Sequence, residues 1–532
     1  MAKESSLSRL VQNWEGARGS MRNPIVVLNS LASHAKDENY TFQRLYRNLY
    51  NINFHLEAYT KIHPKRGMGS RRIKNPGTVD GMGLKRINAL IDKLKKQSYQ
   101  PNPTTSIYVP KNNEKSRSPG LATLEDKLVQ EMVRSILESI YERQFSDSSH
   151  AFHPNRSCHT ALTQIKNTFT DTRWFIKADI KNFYENMDHH TLINVLRNKI
   201  KDEKFINLIW KFLRAGYLEE WEFRQACSGT PKGGIISPIL SSIYLHELDQ
   251  YIDAYTAKFN KGSIRKQKIR RHHLPSNIND GEYHNRRQCS ELDKGMHEGR
   301  AGMEKLYKEQ SNSDYRNMNY VRYADEFLIG INASKWEAME LEKELTAYLA
   351  EKLKLELSKE RTSITHSKKN ARFLWHDIRV SGNGQTIRMP GGTQKRKHSF
   401  HVKLYVPREK CIKTLIDLGA LSLGKNNHWK PIHRSNLIHK EELEIIKQYN
   451  AEIKGLYSYY KFASNVGVLQ SFRQTMKCSM VKTYAYKYKS TTRKIISQYS
   501  INGKFGIRYN TKDGQRIAYF NGWGTERSKG YD

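Results

Sequence analysis

The chain has 532 residues, enough for about three domains, and its 90 Lys and Arg outnumber 53 Asp and Glu. The resulting net charge of +37 would repel itself unless a polyanion met it, so nucleic acid is the expected partner. No apolar run approaches the roughly 18 residues of a membrane span, the start Met1-Ala2-Lys3-Glu4-Ser5-Ser6 lacks the apolar core of an export signal, and Cys158, Cys227, Cys289, Cys411 and Cys478 form no C-x-x-C pair; this excludes a membrane protein and argues for a reducing compartment without a zinc site.

In chain order, residues 1–94 read as a helical extension, with Phe42, Leu45, Tyr46, Leu49 and Tyr50 at helical spacing. A flexible basic loop follows, holding Lys65, Arg66, Arg71 and Arg72. Lys115 and Arg117, one residue apart on a predicted hairpin, are cations able to hold a triphosphate. Trp174–Ile180 begins as an extended apolar run and leads into a polar turn, placing Asp179 at a strand end. Next comes Ser228-Gly229-Thr230-Pro231-Lys232-Gly233-Gly234-Ile235-Ile236-Ser237-Pro238, whose glycines let backbone approach a ligand and whose Pro238 suits a helix start. Leu240, Tyr244, Leu248 and Ile252 then form an apolar stripe fit to lie beneath a sheet. Residues 257–316 read as a basic insertion, either a charged loop or an RNA-gripping arm.

Val321-Arg322-Tyr323-Ala324-Asp325-Glu326-Phe327-Leu328-Ile329-Gly330 puts two carboxylates on a strand-turn-strand tip. With Asp179 they form the set that nucleotidyl transfer requires, since two divalent cations must be gripped by carboxylates to activate a 3′-hydroxyl and neutralise the leaving phosphate. Ser381-Gly382-Asn383-Gly384 reads as a linker, with a second break at Gly391-Gly392, and helices are expected near 407–418, 440–463 and 468–498. Residues 381–532 hold 28 Lys and Arg against 9 Asp and Glu, about half of the whole excess. Lys482-Thr483-Tyr484-Ala485-Tyr486-Lys487-Tyr488-Lys489 interleaves cations for phosphates with rings that either stack on unpaired bases or pack inward.

These segments in this order resemble the proteins encoded by mobile group II introns. The likeness extends through Ile107-Tyr108-Val109-Pro110-Lys111, Ser148-Ser149-His150-Ala151-Phe152-His153-Pro154-Asn155-Arg156, Arg372-Phe373-Leu374 and Gly455-Leu456-Tyr457-Ser458-Tyr459-Tyr460, roughly residues 25–510. It implies an α+β right-hand polymerase, with fingers and an antiparallel palm sheet at 95–384, followed by an α-helical thumb and maturase domain X at 385–500. Residues 501–532 would be a basic tail with no room for the HNH endonuclease of many relatives. The same likeness gives residues roles. Asp179, Asp325 and Glu326 would be catalytic and, with Ile180, would hold two Mg2+. Lys115, Arg117, Tyr184, Lys232 and Gly233 would meet the incoming nucleotide, Tyr184 abutting its sugar. Phe373 and Leu374 would touch the primer. Lys65, Arg66, Arg71, Arg72, Lys477, Lys482, Lys487, Lys489, Arg493 and Lys494 would grip RNA.

Partners implied are the intron RNA, an RNA template, a DNA primer and deoxynucleotides, with a homodimer as an option and no membrane. The chain departs from its family at several points. Glu326 stands where an Asp is usual, moving a carboxylate by about 1.5 Å. Lys232 stands for Gln, Trp375 for Gly, His153 for Arg and Arg361 for Lys. The expected function is therefore a maturase that binds intron RNA and promotes splicing, its RNA-directed DNA polymerase either retained or weakened. The alternative is a domesticated relative serving host splicing, defence or repair. A bacterial cytoplasm is expected, with a mitochondrion or chloroplast as the alternative.

Overall fold

The computed structural model describes residues 22–62, 82–105, 108–111, 114–117, 122–219, 222–224, 228–230, 234–261, 315–388, 394–424, 428–511 and 514–520; at 105–117, 217–224 and 383–399 only backbone is described. Among these residues no helix is long and apolar enough to cross a membrane. Lys65, Arg66, Arg71, Arg72, Lys232, Gly233, most of the basic insertion and the break at Gly391-Gly392 lie outside them.

The molecule is built around a four-stranded antiparallel sheet in the order Met318–Tyr323, Glu326–Ile331, Trp174–Asp179, Ser363–His366. Both faces are covered, which is why these strands are apolar almost throughout. Side chains alternate along a strand, so Ile176, Ala178, Phe327, Ile329 and Ile331 enter one core while Phe175 and Leu328 enter another. The first core holds the helices Leu124–Tyr141, Ser237–Phe259 and Lys335–Leu353 together with the N-terminal layer. Helix Leu124–Tyr141 begins where the Thr123 hydroxyl accepts from the Asp126 amide, at 3.2 Å, and carries Glu125 and Asp126 in its first turn, where acids complement the helix dipole. The second core lies between helix Cys158–Thr168 and the strands Ala371–Phe373, His376–Arg388 and Gln394–Tyr405.

A third core begins at Val406 and gathers helices Arg408–Asp417, Glu442–Tyr460, Val468–Lys487 and Thr492–Gln498. The helices sit close to where the sequence puts them, the last splitting in two at the Tyr488–Thr491 turn.

Three expectations are corrected. Ser381-Gly382-Asn383-Gly384 is no linker but lies inside strand His376–Arg388, paired residue for residue with Gln394–Tyr405, so the segment after 385 opens as sheet before it turns helical. Residues beyond 500 are not simply a tail: strands Lys504–Thr511 and Gly514–Tyr519 form a hairpin that delivers Phe505, Ile507 and Phe520 to the third core. The apolar spacing at 42–50 is not one helix, because Arg44 adopts φ +54°; Phe42 bridges to Ile200, and only Tyr46–Tyr50 coils, as a 3-10 turn.

Candidate active site

Asp179 ends its strand directly opposite Glu326, and the Ile180 amide donates to the Asp325 carbonyl at 3.1 Å. The two acidic segments are thus locked edge to edge by backbone. Tyr323 pairs with Glu326, leaving Ala324 and Asp325 as a two-residue turn with Ala324 at φ +56°. That conformation costs a residue with a Cβ on the order of 1 kcal/mol, and strain of this kind persists where surroundings enforce it.

The enforcement comes from beneath. Arg322 is fully buried, and its Nη1 donates to the Ala324 carbonyl at 3.0 Å. Its Nε donates to Asp249 Oδ1 at 2.7 Å, and its Nη2 donates both to Asp249 Oδ2 and, at 2.8 Å, to the Ser149 hydroxyl. Tyr320 donates a further 2.7 Å hydrogen bond to Asp249. From Ser149 the chain of contacts passes to His153 at 3.0 Å and on to Glu142 at 3.1 Å. Burial works against the Arg322 charge, but Asp249 outweighs it and holds the guanidinium protonated. His153 is therefore an interior member of this network.

The acids are electrostatically crowded. Burial, and then the neighbouring Asp179, push Asp325 above the ordinary carboxylate range. Burial raises Glu326 as well, opposed by Lys177. Lys177 Nζ lies 3.2 Å from Glu326 Oε1, and the same carboxylate is hydrogen-bonded to the Leu374 backbone. Arg361 reaches Asp179 Oδ2 at 3.5 Å. Glu326 thus leans along the sheet toward Lys177 and Leu374, while Asp179 and Asp325 share the charged end of the sheet.

Among the described residues no group of three or more His, Cys, Asp or Glu converges as a metal cage. A pair of aspartates is nevertheless a fitting donor set for Mg2+, a hard ion usually held by one or two carboxylates plus the substrate's own phosphates. The mutual repulsion felt by Asp325 is the electrostatic counterpart of that fit.

Tyr184 stands in the short helical turn Phe183–Asn186, half-buried, its hydroxyl bonded to Ser241 and close enough to Asp325 to feel its charge. The glycine-rich loop explains how that turn is held. Gly229, at φ +82°, donates to the Met187 carbonyl at 2.8 Å, and Thr230 donates to the Tyr184 carbonyl at 2.8 Å. A Cβ on Gly229 would sit 2.4 Å from the Tyr184 carbonyl oxygen. Gly229→Ala is therefore expected to destabilise the fold by about 1–3 kcal/mol, read as a lower urea midpoint, because the added methyl pushes on the Tyr184 backbone. An unchanged midpoint would mean that the loop yields without cost.

Lys115 and Arg117 lie on the second strand of the hairpin Tyr108–Lys111/Glu114–Arg117, where only the backbone is described. Phe373 is fully buried and Leu374 nearly so; their side chains belong to the core, and the turn presents Trp375 instead, 54% exposed. Leu374 and Trp375 occupy the turn at φ +46° and +55°. The turn is braced from the third core, Tyr459 donating to the Leu374 carbonyl at 2.9 Å and Tyr460 to that of Trp375 at 3.1 Å. Trp375→Gly should raise stability by about 1 kcal/mol, because relief of left-handed backbone outweighs loss of an exposed ring stacked under Lys410. A lower thermal midpoint would contradict this.

In the C-terminal domain Lys477, Lys489, Arg493 and Lys494 are exposed, as an RNA contact requires. Lys482 and Lys487 are partly committed to the fold: Lys482 donates to the Pro431 carbonyl at 2.8 Å, and Lys487 to those of Ile438 at 3.2 Å and Lys440 at 2.5 Å. Of the interleaved rings Tyr484 is buried, while Tyr486 and Tyr488 face solvent.

Sequence reasoning missed the Arg322 network, Lys177, and the Tyr459–Tyr460 brace. The available signal was a charge inside apolar runs, Arg322 within a buried strand and Asp249 beside Leu248 on the buried stripe.

Comparison with known proteins agrees with this geometry. The family model described as reverse transcriptase (RNA-dependent DNA polymerase) matches residues 109–378, and that of the type II intron maturase matches 399–519. The chain is 39% identical over 513 residues to a group II intron-encoded protein, LtrA, of Lactococcus lactis subsp. cremoris, covering 94% of this chain and 84% of that one. It is 33% identical over 516 residues to an uncharacterised 91 kDa protein in the cob intron of Schizosaccharomyces pombe, covering 94% and 62%. To the protein YkfC of Escherichia coli K12 it is 30% identical over 324 residues, covering 58% and 77%.

Proposed function

Because the chain belongs to the group II intron-encoded proteins, which join a reverse transcriptase domain to an intron maturase domain, we propose that Asp179 and Asp325 carry its DNA synthesis and that its basic C-terminal surface grips intron RNA. The observation that carries the first half is the pairing of Asp179 with Glu326, together with the backbone bond from Ile180 to the Asp325 residue. The second half is carried by the charge excess beyond residue 380.

Two Mg2+, held by Asp179, Asp325 and the Ile180 carbonyl, would supply the Lewis acidity that phosphoryl transfer needs. The protein's own part is positioning. Tyr184 closes the floor on the sugar side and disfavours a 2′-hydroxyl. Lys115, Arg117, Lys232 and Gly233 would meet the incoming nucleotide, as the family resemblance implies, and Arg361 compensates the charge of Asp179. Glu326, tied to Lys177 and Leu374, acts as a strut between the acidic turn and the Leu374-Trp375 turn rather than as a principal metal ligand. Residues 95–405, to the end of the paired strands, are fingers and palm, and 406–520, which share the third core, are thumb and maturase domain. The bacterial relative from Lactococcus lactis supports a bacterial cytoplasm as the working location.

The test separates the two activities. RNA transcribed from the intron surrounding the gene should bind wild type with affinity falling on the order of a thousandfold between 50 and 200 mM salt, as expected for many phosphate contacts. Asp179→Ala should keep that binding and still promote splicing while losing DNA synthesis. A flat salt response, or splicing lost with Asp179, would overturn the division.

A further inference from the structure

One surface of the C-terminal domain carries a feature that charge alone does not explain. His433 and Tyr486 lie face to face, ring centroids 4.1 Å apart and planes within 7°. Tyr486 comes from the last turn of helix Val468–Lys487, His433 from the segment after strand Trp429–Pro431. After pairing, Tyr486 is still 58% exposed. A tyrosine ring left open to water in this way is a stacking platform without its last layer.

The surroundings favour an anion-bearing aromatic. The open cleft beside the pair has a volume of about 580 Å³, within the range of small-ligand sites, and is lined by His433, Lys482, Ala485, Tyr486, Lys489 and Ser490. Among the described residues no carboxylate lines it. The parts are fixed in place: Lys482 anchors the His433 segment through the Pro431 carbonyl, and the Ser479 hydroxyl donates to the Ile432 carbonyl at 2.6 Å. At the other side the helix ends with Lys489 at φ +46° and the Ser490 amide donating to the Ala485 carbonyl at 2.9 Å. Lys489 is exposed and lines the same cleft.

We infer that the His433–Tyr486 pair is a base-stacking subsite, taking one unpaired nucleobase of RNA onto the open tyrosine face while Lys489 meets an adjoining phosphate. A base in a duplex is already stacked on both faces and cannot enter, so the subsite selects single-stranded loops, bulges or ends. It rests on the proposal that this domain binds RNA, and adds which nucleotides it reads.

The experiment uses the full chain and a single-stranded decaribonucleotide carrying one 5-iodouridine, irradiated and mapped by mass spectrometry. The expected result is an adduct on Tyr486 or His433, suppressed by excess unlabelled single strand but not by the same excess of duplex. Tyr486→Ala should abolish that adduct, Tyr486→Phe should restore it, and Lys489→Ala should weaken its formation and lower the salt dependence by about one phosphate contact. Adducts confined to other parts of the chain, with peptides 431–434 and 484–490 recovered unmodified, would overturn the subsite and leave RNA binding standing. Equal competition by duplex would also overturn it. Failure of wild type to bind any RNA in a salt-dependent way would take down the wider proposal with it.

Discussion

Asp325→Asn should cut DNA synthesis on poly(rA) primed with oligo(dT) by at least about a thousandfold, while raising the protein's thermal midpoint in EDTA at neutral pH. The loss follows from the role proposed for the aspartate pair: a divalent cation contributes several kcal/mol of charge stabilisation to phosphoryl transfer, and each 1.4 kcal/mol or so is a factor of ten in rate. The stability gain follows from linkage. Burial, then Asp179, lift the folded-state pKa of Asp325 above its unfolded value. A raised carboxyl favours folding while protonated, and that contribution is lost as pH rises through the folded pKa, so at neutral pH the ionised side chain costs stability that Asn recovers. The gain should vanish near pH 3, where the wild-type carboxyl is neutral in both states. Glu326→Gln is the contrasting arm. Since Glu326 is engaged with Lys177 and Leu374, its loss should reduce synthesis by about tenfold at most. Equal losses for both variants would return Glu326 to the role of metal ligand, and full activity of Asp325→Asn would refute the site.

Asp249→Ala should be the most destabilising single change in the polymerase half, by roughly 3–5 kcal/mol, because it strands a buried guanidinium with no counter-charge. Folding and positioning can then be told apart. Replacing both partners, Asp249→Leu with Arg322→Met, removes the charges together and should recover much of the urea midpoint. Synthesis should stay low in the double variant, since the Ala324 carbonyl still lacks its 3.0 Å donor and the acidic turn loses its support. Recovery of rate in step with stability would mean that the network is merely structural.

How much of this could be read beforehand depended on whether a residue's partner lay nearby in sequence or pattern. Asp179, Asp325 and Glu326 were legible because strand ends and a two-residue turn are local, and a sheet of period two aligns them once its strands pair. The C-terminal helices were legible from their apolar spacing. The strand character of 376–405 was not: Ser381-Gly382-Asn383-Gly384 carries the composition of a loop, and its conformation is imposed by a partner strand across the hairpin. Gly229 was hidden among its neighbouring glycines, since its lack of room for a Cβ shows only against the packed Tyr184 carbonyl. Arg322 and Asp249 are 73 residues apart, a separation over which no sequence periodicity can speak.

The two tyrosines that hold the Leu374-Trp375 turn belong to helix Glu442–Tyr460, and that turn in turn bonds Glu326. A fragment cut ahead of Arg408 would keep every acid yet lose this outside grip, so the two halves are not modules to be swapped at will. Engineers who shorten such a chain to obtain a smaller copying enzyme should expect its pace to change, because the brace on the Leu374-Trp375 turn goes with the removed helix.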